Sequence, residues 1–430
     1  MITAIEVGLV LLALFLLLVL SNVPISVSLG MSSIIVMLVY GIPIGTYVDL
    51  MVSGMRKFSY LAIPFFILSG ILMDRSGVAA KIIRFFKSLI GAIPGGLAVV
   101  SIVVNIFWGA VSGAGPATVA ALGGVLIPSM EEDGYDTPFA SALVAAAGGI
   151  SIIIPPSIAF IVYGVLANVS IGGIFIAGII PGLILGLCLI VYAVVYCKRR
   201  GYRGSGRVSG REIWRSFKEA ALGLLSPVII LGGIYGGIFT PTEAAAVSVL
   251  YSLILALVVY RTMSLKDMFR VFASSGESAA SIMIIIGDAT VFSYVCTIEG
   301  VATAASRGLA GVSSSNIVTL LVMMLILLIA GCLINGNSIL YIFVPIMLPI
   351  AKQMGYDPMW FGIFMVMASA VGMITPPVAI NLYPAAHIGG ISLSSISKAI
   401  LPFVGVSIIA TVIIMLFPSL SLWLPGLMMG

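Results

Sequence analysis

Two proline pairs, Pro155-Pro156 and Pro376-Pro377, interrupt two highly apolar stretches of the chain and stand 221 residues apart. Around them, and in two Gly/Ser-rich stretches upstream, sit oxygen-bearing but uncharged side chains. The first half offers Ser112, Thr118, Ser151 and Ser157; the second offers Asn335, Asn337, Ser338, Thr375 and Asn381. Proline lacks an N–H and clashes with the preceding helical turn, so it leaves carbonyl oxygens unpaired. Carbonyl, hydroxyl and amide oxygens are ligands for a hard cation, while the N-terminus of a resumed helix faces an anion. Neither upstream stretch carries a carboxylate at its centre, so the set suits Na⁺ better than a proton relay, which needs titratable groups. Any one of these Ser or Thr hydroxyls is most simply explained by a bond to its own helix. The whole pattern occurs twice, however, and that recurrence points to function.

These groups need elements to hold them, and composition names the kind. Of 430 residues, 61% are hydrophobic and 8% charged, too few charges to cover a soluble surface. Runs such as Leu9–Leu20, Ile174–Tyr196, Ala244–Tyr260, Ile317–Gly331 and Leu401–Leu424 reach or approach the roughly 20 residues that span a bilayer as helix, and none alternates as a membrane β-strand would. The chain reads as an all-α polytopic membrane protein. Its first apolar run lacks a basic leader and a small-residue cleavage site, and reads as a retained helix. Cys188, Cys197, Cys296 and Cys332 show no metal or redox spacing and read as small apolar packing residues. The net charge of +5 does not suggest nucleic acid; it reflects basic loops that set orientation.

The halves repeat without gaps. Gly115 aligns with Gly336, Pro128 with Pro349, Gly134-Tyr135-Asp136 with Gly355-Tyr356-Asp357, and Pro181 with Pro402. The matches fall on residues that dictate backbone shape. Residues 1–200 form the first repeat and 222–430 the second, joined by a basic linker at 198–221. In the first, 93–130 reads as a re-entrant hairpin and 137–168 as a broken helix; in the second, 315–353 and 358–389 take these parts, with the second tip at Asn335–Ser338. Each repeat then has five true crossings, and an odd number inverts the second repeat. With the linker cytoplasmic, only Arg56, Lys57, Arg307 and Lys352 of the 20 Lys and Arg residues face outward, as the positive-inside rule requires. Both termini lie outside. Amphipathic 74–90 reads as an arm along the membrane surface.

At these residues the sequence resembles the large membrane subunit of TRAP, the tripartite ATP-independent periplasmic transporters. The resemblance rests on "AIPFFILSG" (62–70), "SGAGPATVAALGGVLIPSM" (112–130), "IIIPPSIAFIVYG" (152–164), "GIFTPTEAAAVSVLYSL" (237–253) and "MITPPVAINLY" (373–383), in order along one repeat structure. It implies an inner-membrane protein that takes up a carboxylate-bearing solute with Na⁺ by an elevator motion. Hairpins and broken helices would move, and the other helices would form the scaffold. It further implies a small four-helix membrane subunit and a soluble periplasmic binding protein as partners, two or more Na⁺ ions, and no organic cofactor. One Na⁺ site would use Gly331, Asn335, Gly372, Thr375 and Val378; its counterpart would use Ser112, Gly113, Gly149, Ser151, Ile154 and Ser157. Substrate would lie between tips and proline pairs, near Ser112, Gly115, Pro155, Pro156, Ser157, Asn335, Gly336, Asn337, Pro376, Pro377 and Asn381. Many dicarboxylate-carrying relatives place an acid where this chain has Asn335, so the expectation leans to a sugar acid such as sialic acid, with a C4-dicarboxylate or a stand-alone carrier as alternatives.

Other residues weigh less. Asp288 is an isolated intramembrane acid, a functional candidate by position and, more simply, a structural partner. His387, the only histidine, reads as structural. Glu243 after Thr240-Pro241-Thr242 reads as helix-start chemistry, and Glu131-Glu132-Asp133 as a solvated turn. Paired acids, Ser-His pairs and metal clusters are missing from the predicted spans, which argues against an intramembrane enzyme. The duplicated hairpins argue for alternating access over a channel.

Overall fold

The computed structural model describes residues 4–202, 204, 209–305 and 315–429; Arg203, Arg207 and Arg307 lie outside them. Among the described residues the regular structure is helical throughout. The first half runs α1 (Ala4–Leu20), α2 (Ile25–Val39), α3 (Thr46–Met55), α4 (Ala62–Arg75), α5 (Val78–Ile90), α6 (Gly96–Ser112), α7 (Gly115–Glu132), α8 (Thr137–Gly148), α9 (Ile158–Ala167) and α10 (Ile171–Arg200). The second runs α11 (Gly210–Tyr235), α12 (Pro241–Ile254), α13 (Leu265–Ile298), α14 (Asn316–Leu333), α15 (Gly336–Gln353), α16 (Pro358–Gly372), α17 (Leu382–Ile388), α18 (Leu393–Leu416) and α19 (Ser419–Met429). Seven of the described helical stretches are long and apolar enough to cross a membrane unaided. One of them, α14, is the first arm of the second hairpin, whereas the first arm of the first hairpin and most pieces of the broken helices are shorter apolar helices of 10–17 residues.

The duplication is visible element by element. Helices α7 and α15 begin on Gly115 and Gly336 and each run 18 residues. The loop glycines Gly134 and Gly355 take φ of 83° and 81°, a left-handed turn that glycine enters at little cost. Asp357 then caps α16, its carboxylate accepting from the amides of Met359 (2.7 Å) and Trp360 (3.1 Å). Asp136 instead accepts from the Tyr202 hydroxyl at 2.7 Å. The single helix α13, 34 residues long, occupies the place that α3, a short 3-10 turn and α4 share in the first half. Helix α3 is an element the sequence reading passed over. Because α10 runs to Arg200 and α11 starts at Gly210, much of the basic linker rides on helix ends.

Scaffold contacts are made by small and hydroxylated residues, which let helices approach closely in lipid. Ser69 of α4 hydrogen-bonds Ser248 and Ser252 of α12. Arm α5 is tied to α11 by Arg84, whose guanidinium reaches Glu212 at 2.7 Å and Glu219 at 3.0 Å. The hydrogen bond to Glu212 first, then the charges of both acids, raises the Arg84 pKa above its ordinary value. Glu243 forms a reciprocal cap with Thr240, so it serves the start of α12. Asp288 is 5% exposed and accepts a 2.6 Å hydrogen bond from the Tyr47 hydroxyl of α3.

Candidate functional site: two hairpin tips against two broken helices

The first hairpin turns on Gly113, at φ 60°, between α6 and α7. The second turns at Ile334-Asn335, with Gly336, Asn337 and Ser338 already in the first turn of α15. Asn335 caps that turn: its Oδ1 accepts from the Ser338 amide at 3.0 Å and hydroxyl at 3.1 Å. The first broken helix leaves α8 through a 3-10 turn at Gly149–Ile152 and resumes as α9 after Ser157. The second leaves α16 at Gly372 and resumes as α17 after Asn381. Both proline pairs lie in these breaks, each joined by a cis bond.

All four pieces meet. A Cβ placed on Gly113 would stand 3.0 Å from the Pro156 oxygen and 3.5 Å from the Ser157 Cα. On Gly109, one turn earlier, it would stand 2.8 Å from the Ser151 Cα and 3.5 Å from the Ile154 Cβ. The first hairpin therefore lies backbone to backbone on the first break. In the second repeat the contact is between Gly331 and Gly372, where a Cβ on either would meet the other's Cα at 2.6 Å. The Ala379 amide donates to the Cys332 oxygen at 3.2 Å, joining the same two elements. The repeats also cross. Gly115 faces the Asn381 side chain, 2.9 Å from Oδ1 to a Cβ so placed, and Gly336 faces Met373 and Ile152.

The expected ligand groups fall into two sets. Ser112, Gly113, Ser151, Ile154 and Ser157 gather where the first hairpin meets the first break; Gly149 instead faces the Ala370 oxygen of α16. Gly331, Gly372 and Thr375 gather at the second junction, with Val378 beside the bonded Ala379. The Ser151 hydroxyl donates to the Gly148 oxygen, the Ser157 hydroxyl to the Ile152 oxygen and the Thr375 hydroxyl to the Val371 oxygen, each at 2.6 Å. A hydroxyl that donates to its own chain keeps its lone pairs for another partner, so these local bonds orient the oxygens without using them up. Both sets could hold a cation through neutral oxygens alone.

A cavity of about 270 Å³ opens beside the tips. Ser112 and Ala114 from the first tip and Asn337 from the second line it, with Ala117, Ala121, Trp108 and Ile158. Helix α4 supplies Ile67, Gly70, Ile71 and Asp74, and α13 supplies Ser278 and Ile282. Of the residues expected around substrate, Ser112 and Asn337 reach this space. Gly115, Pro155, Pro156, Ser157, Asn335, Gly336, Pro376, Pro377 and Asn381 are not among its lining residues; Asn381 is fully buried and donates to the Ala145 oxygen at 3.3 Å. Ala114, Ala117 and Ala121 form a small-residue stripe at helical spacing, a signal legible in the sequence. Asp74, Ser278 and Ile282 left none, because scaffold packing brings them there. Among the described residues, Asp74 is the sole charged residue of the lining. Early residues of three helices, Ala117 of α7, Ile158 of α9 and Asn337 of α15, border it, and helix N-termini carry partial positive charge.

Comparison with known proteins agrees with this architecture. The family model described as "Tripartite ATP-independent periplasmic transporter, DctM component" matches residues 11–420. The chain is 38% identical to the isethionate TRAP transporter permease protein DctMQ of Oleidesulfovibrio alaskensis over 94% of its own length and 64% of that protein's. It is 35% identical to the C4-dicarboxylate TRAP transporter large permease protein DctM of Rhodobacter capsulatus, covering 98% of this chain and 99% of that one. To the sialic acid TRAP transporter large permease protein SiaM of Vibrio cholerae it is 36% identical, covering 88% and 89%. Among solved structures the YdaH transporter of Alcanivorax borkumensis shares the fold, with a TM-score of 0.60 at 12% identity over 87% of each chain. The chain therefore belongs to the DctM component family of the tripartite ATP-independent periplasmic transporters.

Proposed function

We propose that this large permease couples an inward Na⁺ gradient to uptake of an organic-acid anion. A periplasmic binding protein would deliver the solute, and a small membrane subunit would complete the permease in the bacterial inner membrane. The observation that carries this reading is the cavity bounded by both hairpin tips on one side and by α4 and α13 on the other. Tips and broken helices would travel as one body against the scaffold, with Na⁺ held at the two hairpin–break junctions and the central basic stretch facing the cytoplasm.

The relatives named above divide among isethionate, C4-dicarboxylates and sialic acid. Among the described residues the lining holds no Lys or Arg and one carboxylate, Asp74. A doubly charged solute would bring a second carboxylate with no cationic side chain to meet it, at the cost of desolvating an unpaired charge. This favours an acid with one carboxylate and several hydroxyls, such as a sugar acid of the sialic acid type. The test is uptake into proteoliposomes holding this chain and its small subunit, with each solute presented on its binding protein. Accumulation of N-acetylneuraminate but not succinate supports the reading; the reverse moves the chain to the dicarboxylate carriers, and uptake without any binding protein moves it to stand-alone carriers.

A further inference from the structure

A second cavity, of about 520 Å³, adjoins the first. Ile71 of α4 lines both. Its walls continue the same helix faces: Ile67, Ile71 and Arg75 recur every four residues on α4, and Ser274, Ser278 and Ile282 on α13. At 1.5 Å per residue each face extends about 12 Å. The route leads from the hairpin tips to the end of α4 and the start of α13, the ends that the charge distribution assigns to the cytoplasm.

The far cavity differs in charge from the near one. It is lined by Arg75 and Arg270, with Asp267 as the acid facing them, and Asp74 stands in the near cavity beside Arg75 in the chain. Asp267 is engaged locally. Its Oδ2 accepts from the Ser264 hydroxyl at 2.6 Å and amide at 3.1 Å, capping α13, and Arg270 approaches its Oδ1 only to 3.8 Å. An anion leaving the tips passes Asp74 and meets two guanidinium groups, each a planar fork suited to a carboxylate. We propose that Arg75 and Arg270 form a second, weaker anion site at the cytoplasmic mouth, which receives the substrate's carboxylate on release. The proposal rests on the transport reading above.

The test reads occupancy rather than uptake. Ser274→Cys places a thiol in the far cavity, and its labelling by a soluble maleimide is followed in phosphatidylcholine nanodiscs holding this chain with its small subunit. The parent with Ser274 gives the background from Cys188. N-acetylneuraminate and succinate should slow labelling in a concentration-dependent way, and neutral N-acetylmannosamine should not. Arg75→Gln or Arg270→Gln should raise the protecting concentration about tenfold, the loss expected for one charge-assisted contact. Arg→Lys at either position should retain most of the protection. Asp267→Asn, which keeps an acceptor for the cap, should strengthen protection; a purely structural role for this cluster would weaken it instead. Absence of protection by either anion, or protection unchanged in both Gln variants, overturns the proposal. Protection that appears without solute when phosphatidylglycerol is added assigns the site to a lipid phosphate and also overturns it. Failed uptake by the parent would remove the transport reading while leaving this assay intact.

Discussion

At the scale of single residues, the close Gly331–Gly372 approach is the sharpest constraint. Backbone stands against backbone there, so no side chain can swing aside. Gly372→Val should cost about 1–3 kcal/mol of stability by overpacking and raise the Na⁺ concentration needed for half-maximal uptake. Thr375→Ala keeps the backbone and removes one oxygen; thermal unfolding should barely move while Na⁺ activation weakens. Asp288→Ala should do the opposite, lowering stability by about 1–3 kcal/mol by leaving the Tyr47 hydroxyl without its acceptor, with Na⁺ activation unchanged. Gly70 faces the first tip with room for a methyl group, the nearest atoms lying 3.5 Å from a Cβ. Gly70→Ala should therefore transport, whereas Gly70→Trp should fill the cavity and stop uptake in a protein that still folds. The sequence shows the glycines and hydroxyls at the junctions because proline and glycine punctuate them. It cannot show that Asp288 meets Tyr47 across 241 positions, since no local periodicity records that contact.

At the scale of elements, the breaks are enforced by proline. Replacing Pro376-Pro377 with Ala-Ala restores two amide donors and removes an interior-helix penalty of about 3 kcal/mol per proline. The segment between α16 and α17 should then favour continuous helix, and Na⁺-dependent uptake should be lost while the chain still inserts. Loss of uptake with unchanged circular dichroism would point to a local defect instead. The hairpin and break boundaries were legible because each ends on glycine, proline or a capping Asp or Asn. Helix α3 was not, since its ten residues are short and mixed in polarity. The pairing of Arg84 with Glu212 and Glu219 joins the arm to α11 across the basic linker, a contact that only tertiary packing reveals. Being half exposed, it should contribute under about 1 kcal/mol.

At the scale of the whole molecule, duplication places one hairpin–break junction in each repeat, and the close approaches of Gly115 to Asn381 and of Gly336 to Ile152 bring the two together. The proposed coupling requires each junction to hold a Na⁺ ion. Equilibrium binding of ²²Na⁺ to the purified permease, without solute or binding protein, measures this. Two saturable ions per chain are expected, falling to one in Gly372→Val and to one in Ser151→Ala. No saturable binding, or full binding in both variants, would contradict it.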